Sequence, residues 1–220
     1  MTPLVLLFDL DGTLTDPRLG IVRCTRYALD KLGAPCPSDD DLASFIGPSL
    51  RKTFATLLNT SDMALVEQAL VFYREQYGVT GLFENEVYDG IVSVLEHARV
   101  AASASFVATL KPKPYADRIM ERLGLAPYFA GVYGAEFGGK FGEFKEELLA
   151  HLFASERVAP GNAVMIGDRA GDIRAARAHR VRSIGALWGY GSKAELTEAG
   201  ADALCASPKE LIACLSRLFA

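Results

Sequence analysis

The sequence lacks the features that would direct it to a membrane or a nucleic acid. No apolar stretch approaches the roughly 18 residues that a membrane-spanning helix needs. The opening apolar run soon meets Asp9 and Asp11 and has no basic segment before it, so no signal peptide is expected. Cations do not predominate: 23 Lys and Arg stand against 27 Asp and Glu, a formal net charge of −4. That balance excludes the basic footprint of a nucleic-acid surface. Cysteine is sparse, and Cys24, Cys36, Cys205 and Cys214 show no paired metal spacing. Reduced thiols and a cytoplasmic location are the expectation. There is no internal repeat and no low-complexity segment. No Gly-x-Ser-x-Gly elbow occurs, which disfavours a serine hydrolase. The few histidines, His97, His151 and His179, fall in amphipathic helical stretches without a partner pattern and read as surface or packing residues.

What is present points to a globular α/β protein. The chain has 220 residues, 50% hydrophobic and 23% charged, enough for one large domain or a core with a small inserted domain. Leu4-Val5-Leu6-Leu7-Phe8 is a continuous apolar run that ends at a turn signal, the pattern of a strand buried on both faces of a parallel sheet. Asp9 and Asp11 stand at its carboxyl end, where open parallel sheets bind ligands. If the strand holds through Asp11, the period of two puts both carboxylates on one side. Two such carboxylates repel each other unless a cation intervenes. Mg²⁺ suits the role, because it takes few carboxylates and keeps the rest of its shell for water and phosphate.

Residues 17–82 read as helical. Ile21, Val22, Thr25, Ala28, Leu29 and Leu32 follow helical spacing before Gly33 and Pro35; Leu50, Phe54, Leu57 and Leu58 form a second stripe. A third helix, with Ser61 as its expected cap, carries Leu65, Val66, Ala69, Leu70, Phe72 and Tyr73. A parallel crossover needs only about a dozen residues, so this stretch is expected to be an inserted helical domain. The core is then residues 1–16 and 83–220. Beyond Gly90 the pattern alternates: a helix, a strand over 105–109, a helix over 115–123, a short strand over 131–133, a helix over 144–153, a strand over 163–166, a helix to His179 and a strand over 182–186. That alternation predicts a doubly wound parallel sheet of Rossmann-like form.

Further polar residues stand where such a sheet binds ligands. Thr109 ends the second strand and can offer its hydroxyl there. Lys145 heads the apolar stripe of Leu148, Leu149 and Leu152 at helical spacing. It also lies near a helix N-terminus, where the dipole disfavours a cation, so it suits a lysine held in place to bind an anion. Asp168 and Asp172, in Gly167-Asp168-Arg169-Ala170-Gly171-Asp172, follow a buried strand and open a helix, and they read as metal ligands or their supports. A rival is Gly134-Ala135-Glu136-Phe137-Gly138-Gly139-Lys140, which has P-loop spacing but Phe141 where Ser or Thr would hold Mg²⁺. Lys140 in that loop competes with Lys145 for the anion. Trp188, Gly189 and Tyr190 read as a structural loop.

These segments together resemble the haloacid dehalogenase-like phosphatases. Phe8-Asp9-Leu10-Asp11-Gly12-Thr13 is similar to the first motif, Ala108-Thr109-Leu110-Lys111-Pro112 to the second, Lys145 to the third and the Gly167-to-Asp172 segment to the fourth. The motifs come in order, with a helical insertion after the first, as in one branch that carries a helical cap. The resemblance implies a Mg²⁺-dependent phosphomonoesterase. Asp9 would be the nucleophile and form an aspartyl-phosphate; Asp11 would be the acid/base, with Thr109 and Lys145 holding phosphate. Asp9, the Asp11 carbonyl, Asp168 and Asp172 would hold the metal. The sequence departs from the pattern at Leu110, where relatives carry a polar residue, and at residues 138–142, where they carry a more polar loop. Asp11 argues against a dehalogenase, which has no leaving alkoxide to protonate. A sugar-phosphate mutase is an alternative, as is a non-enzymatic phosphate-binding module. Asp16-Pro17, the second motif and residues 45–52 resemble a phosphoglycolate phosphatase and 5′-nucleotidase-like branch, which makes Gly47, Arg51 and Leu110 candidate substrate contacts. The expected substrate is a small soluble phosphate ester, a nucleoside 5′-monophosphate slightly ahead of phosphoglycolate.

Overall fold

The computed structural model describes residues 4–136 and 144–218. Lys140 and the 138–142 segment lie outside the described residues, and with them most of the loop with P-loop spacing.

The strands are β1 (Val5–Phe8), β2 (Thr15–Asp16), β3 (Glu86–Val87), β4 (Ala104–Pro112), β5 (Gly131–Ala135), β6 (Ala163–Gly167), β7 (Arg182–Ala186) and β8 (Ala203–Cys205). Six of them form one sheet in the order β5-β4-β1-β6-β7-β8, with every adjacent pair parallel. The chain builds outward from β1 through β4 to β5, then returns to the other side of β1 for β6, β7 and β8. The order therefore reverses beside β1, and such a switch point opens a crevice at the carboxyl ends of the strands. Phe8 is level with Val107 on one side and Ile166 on the other. The segments after β1 and β6 and the far end of β4 thus converge.

The fold divides into two compact units, one of residues up to Asp16 and from Val87 onward, the other Pro17–Glu86. The second unit is helical: α1 (Arg18–Lys31), α2 (Asp39–Ala43), α3 (Leu50–Leu57) and α4 (Met63–Tyr77). Gly33 takes a positive φ of 63° just past α1, the stop that glycine provides without a Cβ penalty. Two details differ from the sequence expectation. Asp62, not Ser61, caps α4, its carboxylate accepting from Ala64 N. The short helix α2 is added, capped by Ser38 accepting from Asp41 N.

In the first unit the helices are α5 (Ile91–Ala101), α6 (Lys113–Arg122), α7 (Lys145–Glu156), α8 (Ala170–Ala178), α9 (Lys193–Ala199) and α10 (Leu211–Leu218). Val5 and Leu7 of β1, Phe106 and Ala108 of β4, and Met165 of β6 pack on Leu148, Leu149 and Leu152 of α7 and Ala175 and Ala176 of α8. The alternate residues Leu6, Phe8, Val107, Val164 and Ile166 are buried as well, so the central strands are covered on both faces, as their unbroken apolar runs require. Among the described residues no helix is long and apolar enough to cross a membrane.

Candidate active site

The turn after β1 sets the first part of the site. β1 ends at Phe8, so the strand does not carry through Asp11, and the expected same-side alternation of Asp9 and Asp11 does not apply. Asp9 N still donates to Ile166 O at 2.9 Å; beyond it the chain folds over the Leu10 carbonyl, which accepts from Thr13 N, Leu14 N and Thr15 N at 3.3, 2.9 and 3.0 Å. Gly12 takes φ +84° in this turn, and a Cβ there would lie 2.2 Å from Asp168 Oδ2. Glycine is thus required both for the backbone conformation and for the approach of Asp168.

Lys145 is the first residue of α7, with no side-chain cap before it. Its ammonium is buried and pairs with Asp9 Oδ1 at 2.9 Å and with Asp172 Oδ1. The leucine stripe of α7 anchors it in this unfavourable position. Burial opposes the charge on Lys145, but Asp172 and Asp9 outweigh it and raise the ammonium's pKa above its ordinary value. Asp172 also accepts from Arg169 N at 3.0 Å, tying Lys145 to the start of α8. Burial pushes the Asp172 carboxyl up to about 6, with Lys145 pulling the other way.

Asp168 follows β6 and is fully buried. Thr13 Oγ1 donates to its Oδ1 at 3.3 Å and Tyr190 N to its Oδ2 at 2.8 Å. Burial, then the neighbouring Asp172 and Asp9 carboxylates, raise its pKa well above the ordinary carboxyl range.

Carboxylate oxygens of Asp9, Asp168 and Asp172 all lie within 4.8 Å of one another. Asp9 Oδ1 sits beside Lys145 as an ion pair but outside hydrogen-bond geometry, so it is a buried acceptor without a donor. When all three carboxylates are ionised, the one ammonium leaves two negative charges uncompensated, which is the charge of one divalent cation; without a cation, burial and this repulsion together raise the Asp168 and Asp172 carboxyls. The donor set is all oxygen, which suits Mg²⁺. The residues therefore fit the metal.

β4 supplies the opposite wall. It runs on to Pro112, past the expected end at Thr109. Its register against β5 shifts between Ala108 and Pro112: Ala108 pairs with Tyr133 and Pro112 with Ala135. Four steps along β4 match two along β5, which is a bulge of the kind that re-aims side chains at sheet rims. Thr109 and Lys111 lie in it and both are buried. Thr109 Oγ1 accepts from Lys111 N at 3.2 Å. Lys111 Nζ lies 2.6 Å from Asp11 Oδ2. Burial raises the Asp11 carboxyl above its ordinary value, with Lys111 acting against the rise.

The structure thus brings Asp9, Asp168, Asp172, Lys145, Asp11 and Thr109 to one sheet edge, with Leu110 half-buried beside Thr109. Gly47 and Arg51 belong to the helical unit. There Arg51 Nε donates to Glu67 Oε1 at 2.5 Å, and Gly47 has φ +111°. Sequence reasoning missed three participants. Lys111 was expected beyond the end of the strand at Thr109, as a motif residue with no role of its own. Thr13 binds Asp168. The loop of Trp188, Gly189 and Tyr190 is built into the site: Trp188 Nε1 donates to Thr13 O at 3.0 Å, and a Cβ on Gly189 would lie 2.3 Å from Gly12 O. The sequence offered only Gly189 and Gly191, glycines just after a strand, as a cue.

Residues 6–186 match the sequence profile of the haloacid dehalogenase-like hydrolases. A 5′-nucleotidase of Pseudomonas aeruginosa is 42% identical over 191 residues, covering 87% of this chain and 86% of its own length. The tyrosine-protein kinase PtkA of Mycobacterium tuberculosis is 39% identical over 190 residues, covering 86% of this chain but 64% of that protein. A phosphoglycolate phosphatase of Xanthomonas campestris is 30% identical, over 86% of this chain and 85% of its own. The crystal structure of a predicted phosphatase from Clostridium acetobutylicum superposes with a TM-score of 0.94 at 34% identity, covering 99% of this chain and all of that one. A cluster of buried carboxylates suited to a divalent cation, at the switch point of a parallel sheet, defines a class of α/β enzymes. Within that class, this chain belongs to the haloacid dehalogenase-like hydrolase family.

Proposed function

We propose that the protein is a Mg²⁺-dependent phosphomonoesterase that works through an aspartyl-phosphate on Asp9, with a nucleoside 5′-monophosphate as its preferred substrate. The observation that carries the reading is the cluster of Asp9, Asp168 and Asp172 against the single ammonium of Lys145, with Asp11 held apart by Lys111.

In this reading an Asp9 carboxylate oxygen attacks phosphorus as the ester P–O bond breaks. Asp11 gives its proton to the departing oxygen. Asp11 then takes a proton from the water that attacks the phosphoenzyme, and Asp9 is regenerated with release of inorganic phosphate. Lys145 holds the Asp9 carboxylate in place and faces the anion. The Thr109 oxygen already accepts from Lys111 N, which leaves its hydroxyl hydrogen for a phosphate oxygen. Asp9, Asp168 and Asp172, with the Asp11 carbonyl, would hold Mg²⁺. The metal supplies charge that offsets the phosphoryl oxygens. General acid/base help contributes about 10²–10⁴ in rate, so positioning and electrostatics must supply most of the acceleration.

The substrate choice rests on the 5′-nucleotidase relative, which is both more similar than the phosphoglycolate phosphatase and matched over most of its length. The kinase relative supports a second reading, phosphoryl transfer from a nucleotide to a tyrosyl acceptor, but its match covers a smaller share of that protein. The test is phosphate release from a panel of nucleoside 5′-monophosphates, phosphoglycolate, sugar phosphates and phosphotyrosyl peptides, with Mg²⁺ and with EDTA. A nucleotide is expected to lead the panel and EDTA to stop it. Phosphotyrosyl peptides outrunning every small ester would overturn the substrate choice. Transfer of label from ATP to tyrosine without phosphate release would favour the second reading.

A further inference from the structure

Two lysines pair with three of the four aspartates of the site, Asp168 being held by Thr13 and Tyr190 N instead. Lys145 serves Asp9 and Asp172, while Lys111 is paired with Asp11 at 2.6 Å. The second pair is nearly as enclosed as the first, with 5% of the Lys111 side chain and 13% of the Asp11 side chain exposed. A lysine on a strand surface would ordinarily pack its stem and leave its amine in water. Lys111 instead lies within the register shift of β4 and has its ammonium buried against Asp11. Folding stability does not explain this, since a buried ion pair is often no better than a pair of apolar residues of similar volume. The Asp11 carboxylate is also asymmetric. Its Oδ2 carries the lysine, whereas its Oδ1 is buried and has no hydrogen-bond partner.

We propose that Lys111 is the positioning residue for Asp11: it fixes Oδ2 and thereby leaves Oδ1 as the atom that serves the ester oxygen of the substrate. The inference rests on the phosphatase reading above and names which atom moves the proton. In the first half-reaction the Asp9 O–P bond forms, the ester P–O bond breaks, and the proton on Asp11 Oδ1 goes to the departing alkoxide, giving the free alcohol. In the second, water attacks phosphorus, its proton goes to Asp11 Oδ1, and the Asp9 O–P bond breaks. Nothing is oxidised or reduced. Lys111 touches neither the phosphoryl group nor the water; it acts only through Asp11. Its backbone N–H meanwhile occupies the acceptor side of Thr109, so one residue orients both the acid and the phosphate-binding hydroxyl.

A leaving group that needs no proton separates this role from a general one. An alkyl phosphate requires protonation of its alkoxide, whereas p-nitrophenyl phosphate releases a stable phenolate. Lys111→Met and Lys111→Gln are expected to lower kcat/KM for the alkyl ester about 100-fold, within the range typical of general acid catalysis, and for p-nitrophenyl phosphate less than about tenfold. The inhibition constant of inorganic phosphate should stay as in the wild type. Lys111→Arg should recover part of the alkyl-specific loss, because a cation again meets Oδ2. If the methionine variant fails to fold in a thermal melt, the glutamine variant reads the same ratio. Equal losses on both esters would overturn the proposal. So would an inhibition constant that rises in step with the lost kcat/KM, since Lys111 would then be holding phosphate. A wild type that releases phosphate from neither ester would instead overturn the phosphatase reading itself.

Discussion

At the scale of single residues, Asp168 and Asp172 stand side by side with different duties. Asp168 is bound by a hydroxyl and one backbone N–H and faces the cluster. Each oxygen of Asp172 already has one partner, Lys145 or Arg169 N, so it would meet a metal only through its remaining lone pairs or through water. Asp168→Ala is therefore expected to raise the Mg²⁺ concentration needed for half-maximal activity sharply, and an unchanged requirement would reduce Asp168 to an internal support. Asp172 lends itself to a pH test. Burial raises its folded pKa to about 6, above the ordinary 3.8 of an aspartate, so the folded state holds the proton more tightly than the unfolded one. The associated stability is fully present below the unfolded value and is lost as pH rises through about 6. In EDTA, the Tm of the wild type minus that of Asp172→Asn should therefore fall as pH rises from about 4 to about 7, the interval that spans the unfolded and folded values, and added Mg²⁺ should reverse the fall. A difference that grows with pH would contradict the assignment. Much at this scale was legible. Carboxylates after a core strand and a lysine on an apolar stripe conflict with folding preferences, so each stood out without coordinates. Lys111 did not stand out, because the strand was expected to end at Thr109 and nothing in the sequence reports the register shift in which Lys111 lies.

Among the elements, apolar runs and glycine stops located most strands and helices. β1 and β6 were legible because strands covered on both faces need unbroken apolar residues. β8 and α9, after the last expected strand, were not, since a three-residue edge strand and a seven-residue helix carry too little periodicity. The loop of Trp188, Gly189 and Tyr190 was legible as a loop but not as part of the site, because its contacts, Thr13 O and Asp168, are distant in sequence. Its importance can be tested. A Cβ on Gly189 would stand 2.3 Å from Gly12 O and 2.5 Å from Asp168 Oδ2. Gly189→Ala should cost about 1–3 kcal/mol, a Tm fall of about 2–12 °C. It should also raise the Mg²⁺ requirement by displacing Asp168. A variant unchanged in both melting and metal requirement would show that the loop can yield.

For the whole molecule, the interval between Asp16 and Gly90 signalled an insertion, being several times longer than a crossover needs. The point of return was less legible. The expected boundary after residue 82 fell within the 3₁₀ turn Gly81–Phe83, and the structure assigns residues through Glu86 to the helical unit. The turn has no period to read, and Gly81 packs tightly on Gly20 of α1, where a Cβ would lie 2.0 Å from its carbonyl. Selectivity beyond phosphate lies in residues around a shared chemical core, and Arg51 is the residue of the helical unit proposed for it. Its bond to Glu67 is partly exposed, so losing that pair should cost no more than about 1 kcal/mol of stability. Arg51→Ala should raise KM more than it changes kcat, and only for the preferred ester. An unchanged KM would remove this segment from the specificity assignment.

The central claim is that Asp9 carries the phosphoryl group. It is tested most directly by acid-quenching the enzyme during turnover of a nucleoside 5′-monophosphate with Mg²⁺ and locating the added mass by peptide mapping. The predicted result is a phosphoryl group on the peptide containing Asp9 in the wild type, absent in EDTA. Asp9→Asn should be folded, unlabelled and unable to release phosphate. Phosphate release at the wild-type rate by Asp9→Asn, in a preparation checked for deamidation, would contradict the account.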